Sequence, residues 1–188
     1  FFISGTGGNA LNLLRACREG RVAAAPVLAI ASTSKAGGIE KLRAEGIPTV
    51  VVLRKDFASD EAFSEACYAE VERAGAELIC LAGWLKKLTV PVRWQGRILN
   101  IHPGLLPRYG GAGMYGMHVH RAVIAAGERE SGCTVHVVDD QYDHGATLLE
   151  RRVPVRPDDT PEDLQKRVYA EEMRAYPEAL AAFLAGRL

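Results

Sequence analysis

The residues best suited to chemistry in this sequence lie in the segment Asn100-Ile101-His102-Pro103. Residues 98–102 form a mostly apolar run that indicates a strand, and side chains along a strand alternate between its two faces. Asn100 and His102 therefore share one face. Pro103 favours extended backbone at His102 and removes the next ladder donor, so the strand is expected to end there. This pattern predicts an amide beside an exposed imidazole where a strand opens into a loop.

A histidine in this place has two interpretations. It is either a structural side chain beside a Pro-Gly turn, or a proton-transfer group at the carboxyl end of a strand, where open α/β sheets bind ligands. A second polar turn favours the functional interpretation. Asp143, His144 and Gly145 follow another predicted strand, residues 133–138. Asp143 is therefore expected to approach a neighbouring loop at the edge of the sheet.

Helices and strands alternate along the chain, which is typical of a parallel sheet wrapped by helices. The predicted helices cover residues 10–19, 38–45, 60–74, 119–126 and a last segment from 161, which Pro177 should kink or divide. The predicted strands cover residues 27–31, 49–53, 78–82, 98–102, 133–138 and 147–155. These elements predict a three-layer α/β fold with a mostly parallel, Rossmann-like sheet and helices on both faces. A single domain is expected over residues 1–188, with the first strand truncated before Phe1.

A glycine-rich loop, Ser4-Gly5-Thr6-Gly7-Gly8-Asn9, joins the remnant of the first strand to the first helix, with Asn9 as the expected N-cap. Such a junction directs backbone N–H groups and a positive helix end at an anion, so it predicts a phosphate site. The loop also fits a dinucleotide-binding pattern, but no acid follows the second strand, which argues against NAD. Ser32-Thr33-Ser34-Lys35 leaves an NADP-dependent oxidoreductase or a non-catalytic nucleotide-binding module as alternatives.

Two further segments are candidate ligand contacts. Trp84, Leu85 and Leu88 follow the strand at 78–82 and either pack as an ordinary short helix or line a pocket for a flat ring, while Lys86 or Lys87 could meet a ligand carboxylate. Glu172 lies on the apolar stripe of the last helix. Because burying a lone carboxylate is costly, Glu172 is expected either at the edge of the stripe or against a polar ligand.

The composition excludes several classes of function. The chain has 23 basic and 23 acidic residues, so no net field attracts nucleic acid or a membrane surface, and no apolar run approaches a membrane span. Four separated cysteines without a C-x-x-C pair indicate free thiols and a cytoplasmic location. His118 and His120 suggest a metal only if carboxylates or thiolates join them, and no such set is visible. No metal is predicted.

The whole chain resembles a known family. Asn100-Ile101-His102-Pro103 with Leu105-Leu106-Pro107, and then Asp143-x-Gly145, is similar to the formyltransferases that use 10-formyltetrahydrofolate. The segment Ile3 to Asn9 resembles the branch that formylates 5-phosphoribosylglycinamide in de novo purine biosynthesis. The resemblance implies this reaction, two small-molecule substrates and 10-formyltetrahydrofolate as co-substrate without a metal.

The resemblance also implies roles for individual residues. His102 would be the catalytic acid and base, Asn100 its partner at the formyl group, and Asp143 the carboxylate that orients His102 and raises its pKa. The ribonucleotide would be held at its phosphate and its glycinamide portion by Gly7, Gly8, Asn9 and Glu172. The folate would be contacted by Asn100 and by Trp84, Leu85, Lys86, Lys87 and Leu88.

The chain departs from the family pattern at three places. Gly8 stands where the family often has Ser, Asp60 stands where it often has Arg, and the loop Gly110 to Met117 is longer than in the simplest members. Two relatives share the central motif. Methionyl-tRNA formyltransferase carries an added tRNA-binding domain, and formyltetrahydrofolate hydrolase carries an added regulatory domain. The hydrolase remains an alternative.

Overall fold

The computed structural model describes residues 1–187 as an α/β fold. Its strands are β1 (Phe2–Ile3), β2 (Ala29–Ala31), β3 (Thr49–Val51), β4 (Ile79–Leu81), β5 (Ile98–His102), β6 (Glu130–Val137) and β7 (Thr147–Pro154). Its α-helices are α1 (Gly8–Arg18), α2 (Gly38–Ala44), α3 (Asp60–Arg73), α4 (Met117–Ala125) and α5 (Pro161–Leu184).

The seven strands form one sheet in the order β3-β2-β1-β4-β5-β6-β7. β1 pairs in parallel with β2 and β4, and β2 pairs in parallel with β3. β6 and β7 pair antiparallel, with a register shift between Val135 and His136. The predicted α/β fold with a mostly parallel sheet is confirmed.

The chain divides into two compact units, residues 1–99 and 100–188, so that the division falls within β5. The prediction of one domain over residues 1–188 therefore stays a prediction. In the first unit, small and branched side chains of β1, α1, β2 and α2 form a buried cluster that includes Ile3, Leu14 and Leu42. In the second unit, α5 packs against β6, β7 and α4 and buries Leu164 and Val168.

The helix starts follow their local sequence in two cases. Ser59 caps α3 by accepting a hydrogen bond from the Ala62 N–H, and Thr160 and Asp163 form a reciprocal capping box at the start of α5. Capping side chains satisfy N–H groups that have no partner within the helix, which is why these short polar patterns predict helix starts reliably.

One expectation about helices is wrong, and one of the two alternatives for Pro177 is excluded. Asn9 is not the N-cap of α1, because Gly7 holds that position in a left-handed conformation with φ 74°, and Asn9 lies buried in the first turn. Pro177 does not begin a second helix, since α5 continues from Pro161 to Leu184. A proline removes one backbone hydrogen bond, and the buried face around Pro177, which includes Tyr176 and Leu180, stabilises the helix through it.

Candidate active site

The carboxyl end of β5 brings His102 close to the predicted acid, within the second unit. The Nδ1 atom of His102 lies 3.5 Å from Oδ2 of Asp143. Asn100, on the same face of β5, has its Nδ2 atom 3.0 Å from Nε2 of His136. The expected approach of Asp143 to the histidine loop is therefore observed. The structure brings the three predicted catalytic residues into one cluster and adds His136 to it.

His102 is buried rather than exposed, so the sequence-based expectation about its surroundings is wrong. Its exposed fraction is 3%, and its Nε2 atom lies 2.6 Å from the carbonyl oxygen of Tyr109. The cause is the segment after Pro103, which returns to the imidazole within seven residues. Because a carbonyl oxygen can only accept, Nε2 must carry a hydrogen. The ring therefore gains or loses its second proton at Nδ1, the atom that faces Asp143.

Burial and charge act in opposite directions on the His102–Asp143 pair. Burial lowers the pKa of His102 and outweighs the Asp143 carboxylate and the Tyr109 carbonyl, which both raise it, so the net pKa lies below the ordinary value. Burial would raise the pKa of Asp143, but the neighbouring His102 imidazole and the Gly111 N–H oppose this effect, and the net pKa lies below the ordinary value. The expectation that His102 has a raised pKa is wrong in its net direction, although Asp143 does act in that direction.

Asp143 is held in place by the conformation of its own turn and by one backbone N–H group of another loop. Its φ is 53°, in the left-handed region, and its Oδ2 accepts a hydrogen bond of 3.0 Å from the Gly111 N–H. Gly145 closes the turn, since a Cβ atom there would lie 1.9 Å from the carbonyl oxygen of Val137. The Asp143-x-Gly145 spacing thus has a steric reason. The loop Gly110 to Met117, through Gly111, contributes directly to the position of the carboxylate.

Two side chains of β6 complete this cluster and were not predicted as site residues. The Thr134 hydroxyl donates to the Gly104 carbonyl oxygen at 2.8 Å and accepts from the Leu106 N–H at 3.2 Å. His136, two residues further along β6, contacts Asn100. The alternation of Thr134 and His136 on one face of a buried strand was the available signal, because polar side chains in that pattern require polar partners.

Tyr109 supports the site from outside. Its hydroxyl donates a hydrogen bond of 2.8 Å to Oε1 of Glu128, and Oε1 also lies 2.5 Å from Nη2 of Arg108. These contacts fix the side chain of the residue whose carbonyl oxygen accepts from His102. No periodic pattern in the sequence distinguishes Tyr109, because its contribution to the site comes from a backbone atom.

The two histidines considered as metal ligands differ in environment. His118 is exposed, whereas His120 is 1% exposed, has no hydrogen-bond partner at Nδ1, and has a pKa lowered to about 4 by burial and by His102. Within residues 1–187, no group of three or more histidine, cysteine or acidic side chains is arranged to hold a metal ion.

The predicted ligand segments of the first unit have mixed environments. Gly7 and Gly8 begin α1, and the N–H of Gly38 donates to the carbonyl oxygen of Gly5. The side chains of Trp84 and Leu88 are buried, and Trp84 stacks on Phe63 at a ring distance of 5.9 Å.

Of the predicted folate contacts in this segment, Leu85, Lys86 and Lys87 expose their side chains. Trp84 and Leu88 thus pack in the interior, and their contact with the folate stays a prediction. The backbone of Leu85 is fixed by a hydrogen bond of 2.9 Å to Oγ of Ser4, at the end of β1.

Glu172, the predicted glycinamide contact, lies on the buried side of α5 with an exposed fraction of 8%. The alternative of a carboxylate at the solvent edge of the apolar stripe is therefore wrong. Asp60, a position where the family often has Arg, lies at the start of α3 and accepts a hydrogen bond of 2.5 Å from Arg54. This ion pair involves the Oδ1 atom of Asp60.

Comparison with known proteins agrees with the geometry. Residues 1–180 match the family described as formyl transferase. The chain belongs to this family. The resemblance expected from the Asn100–His102 and Asp143–Gly145 motifs is confirmed.

Several members of the formyl transferase family match nearly the whole chain. The phosphoribosylglycinamide formyltransferase of Haemophilus influenzae is 36% identical, over 99% of this chain and 86% of its own length. The trifunctional purine biosynthetic protein adenosine-3 of Drosophila melanogaster is 40% identical over 98% of this chain, which spans 14% of that protein. The crystal structure of glycinamide ribonucleotide transformylase 1 from Symbiobacterium toebii superimposes with a TM-score of 0.93 at 38% identity, covering 100% of this chain and 87% of that one.

Proposed function

We propose that this chain transfers the formyl group of 10-formyltetrahydrofolate to the amine of 5-phosphoribosylglycinamide, a step of purine biosynthesis. The observation that carries the proposal is the cluster of Asn100, His102 and Asp143 at the end of β5, in a chain whose relatives are named for this reaction. The names of these relatives favour neither the formyltetrahydrofolate hydrolase nor the NADP-dependent oxidoreductase that the sequence left open.

The chemistry of formyl transfer suits the cluster. The amine attacks the formyl carbon and forms a tetrahedral intermediate whose oxyanion needs donors already in position. An N–H of Asn100 is one such donor. His102 accepts the proton of the attacking amine at Nδ1, where the Asp143 carboxylate stabilises it, and then delivers it to the folate nitrogen as the bond from that nitrogen to the formyl carbon breaks.

The remaining predicted contacts are proposals of the same kind. Gly7, Gly8 and Asn9 would bind the ribonucleotide phosphate, supported by their place at the amino-terminal end of α1. Glu172 would bind the glycinamide portion. The folate would be contacted by Asn100 and by the segment that comprises Trp84, Leu85, Lys86, Lys87 and Leu88. A cytoplasmic location is proposed from the four free cysteines.

Replacement of His102 by Ala tests the proposal. Loss of a general acid and base lowers turnover by about 10²- to 10⁴-fold, so transfer to phosphoribosylglycinamide should fall in this range. His118→Ala, at an exposed histidine, is the matched control and should retain transfer. Folate release should be assayed with and without phosphoribosylglycinamide. Equal release in its absence would identify a hydrolase, and near-normal turnover of His102→Ala would refute the catalytic assignment.

A further inference from the structure

The imidazole of His136 occupies a place in the cluster that the proposed reaction leaves unexplained. Its side chain is 2% exposed, its Nδ1 atom lies 2.9 Å from the carbonyl oxygen of Val137, and its Nε2 atom lies 3.0 Å from Nδ2 of Asn100. The distance from Nε2 to Oδ1 of Asp143 is 3.6 Å, which is too long for a hydrogen bond. His136 therefore has two hydrogen-bonded partners, one at each ring nitrogen.

The first partner determines the protonation of the ring. The Val137 carbonyl oxygen has no hydrogen to donate, so Nδ1 of His136 must carry the hydrogen of that bond. In a neutral imidazole the other nitrogen, Nε2, is then an acceptor. Nε2 can bond Asn100 only if the amide presents its NH₂ group rather than its oxygen.

We propose that His136 is a positioning residue that fixes the orientation of the Asn100 amide by means of a neutral ring protonated at Nδ1. This inference rests on the proposed formyl transfer for its consequence. One Nδ2 hydrogen of Asn100 is donated to His136, and the second remains for the formyl oxygen. Rotating the amide by half a turn would direct its oxygen at the lone pair of Nε2, so the ring selects a single orientation.

The local backbone explains why a histidine can reach this place. The pairing of β6 with β7 changes register between Val135 and His136. Such irregularities redirect a side chain and are common beside active sites. Thr134, two residues earlier on the same face, bonds the loop after His102, so one strand face holds both the loop and the amide.

Nitrogen NMR of the histidine rings tests the protonation directly, without any assay of activity. In the protein labelled with ¹⁵N at histidine, the signals of His136 are identified by their loss in His136→Gln. We expect a protonated Nδ1 and an unprotonated Nε2 at neutral pH. A hydrogen on Nε2, alone or together with one on Nδ1, would overturn the proposal. The ¹⁵N measurement decides the protonation of His136 whether or not the wild-type chain transfers formyl groups. Failure to transfer them would refute only the proposed function.

Kinetics test the consequence for Asn100. His136→Leu should lower kcat by up to about a hundredfold, the lower end of the cost of losing one oxyanion donor, with little change in KM for the ribonucleotide. His136→Gln restores a hydrogen-bonding partner and should recover most of kcat. His118→Gln, at an exposed histidine, should behave as wild type. Unchanged kcat in His136→Leu would overturn the proposal.

A double-mutant cycle shows whether His136 acts through Asn100. In the Asn100→Ala background, which has no amide to orient, His136→Leu should cause no further loss of kcat. An equal loss in both backgrounds would mean that His136 acts elsewhere, and the proposal would fall. Should His136→Leu not fold, the same comparison is made with His136→Ala, and the ¹⁵N pattern still decides the protonation.

Discussion

Removing the Thr134 hydroxyl should destabilise the second unit. This side chain is fully buried, and its hydroxyl is bonded to both the Gly104 carbonyl oxygen and the Leu106 N–H. Thr134→Val keeps the shape of the side chain and leaves both backbone groups without this partner. An unsatisfied buried group costs about 1–3 kcal/mol. Since the Leu106 bond is only partly buried, we expect a total loss of about 2–4 kcal/mol in the free energy of unfolding.

The matched variant is Thr134→Ser, which keeps the hydroxyl and removes one methyl group. Its expected cost is about 1 kcal/mol. Urea unfolding of the wild type and the two variants, followed by circular dichroism, measures the difference. If residues 1–99 and 100–188 unfold in separate transitions, the change should appear in that of the second unit. A Thr134→Val protein as stable as Thr134→Ser would refute the assignment of these hydrogen bonds.

Three further outcomes are expected. Asp143→Asn should lower the pKa of His102 further, because it removes the charge that raises it, and NMR titration of the ring would show no change if Asp143 acts only on loop geometry. His120→Gln should flatten the acid sensitivity of folding. In the unfolded chain His120 binds a proton near the ordinary pKa of 6.5, and in the folded chain only near 4, so the free energy of unfolding of the wild type falls as pH decreases through this window. The expected fall is about 3 kcal/mol, at 1.36 kcal/mol per pKa unit. Equal pH dependence of the free energy of unfolding in wild type and variant would refute this prediction. Gly7→Ala should lower Tm, because φ is 74° and a Cβ would lie 2.8 Å from Cα of Gly38, and an unchanged Tm would contradict this contact.

The parts of the fold that the sequence predicts are those decided by local chemistry. Ser59 and Thr160 begin helices because their side chains bond N–H groups three residues away, within reach of a short pattern. The approach of Asp143 to another loop was also predictable, since it follows a strand and strand ends share an edge of an α/β sheet. Its pairing with His102 was implied by the family resemblance.

The features that sequence reasoning missed depend on contacts between distant segments. His102 is buried because the Tyr109 carbonyl returns to it, and no side-chain pattern reports a backbone oxygen. Asn9 loses its expected capping position because Gly7 packs against Gly38, thirty-one residues later in the chain. His136 contacts Asn100 on another strand. The alternation of residues along β6 predicts which face of the strand His136 lies on, but it does not predict which residue His136 contacts.

The burial of His102 suits the proposed transfer better than the exposed imidazole that the sequence suggested. With its pKa lowered by burial, the ring is neutral at rest, and Nδ1 presents a lone pair to the ionised Asp143. The resting pair thus holds one buried negative charge, which is costly in a medium of low dielectric constant. When the attacking amine gives its proton to Nδ1, the pair becomes an ion pair without net charge. A buried environment disfavours an imidazolium that has no partner, but it favours a His102 imidazolium paired with the Asp143 carboxylate. This pair forms at the step in which the amine must lose its proton.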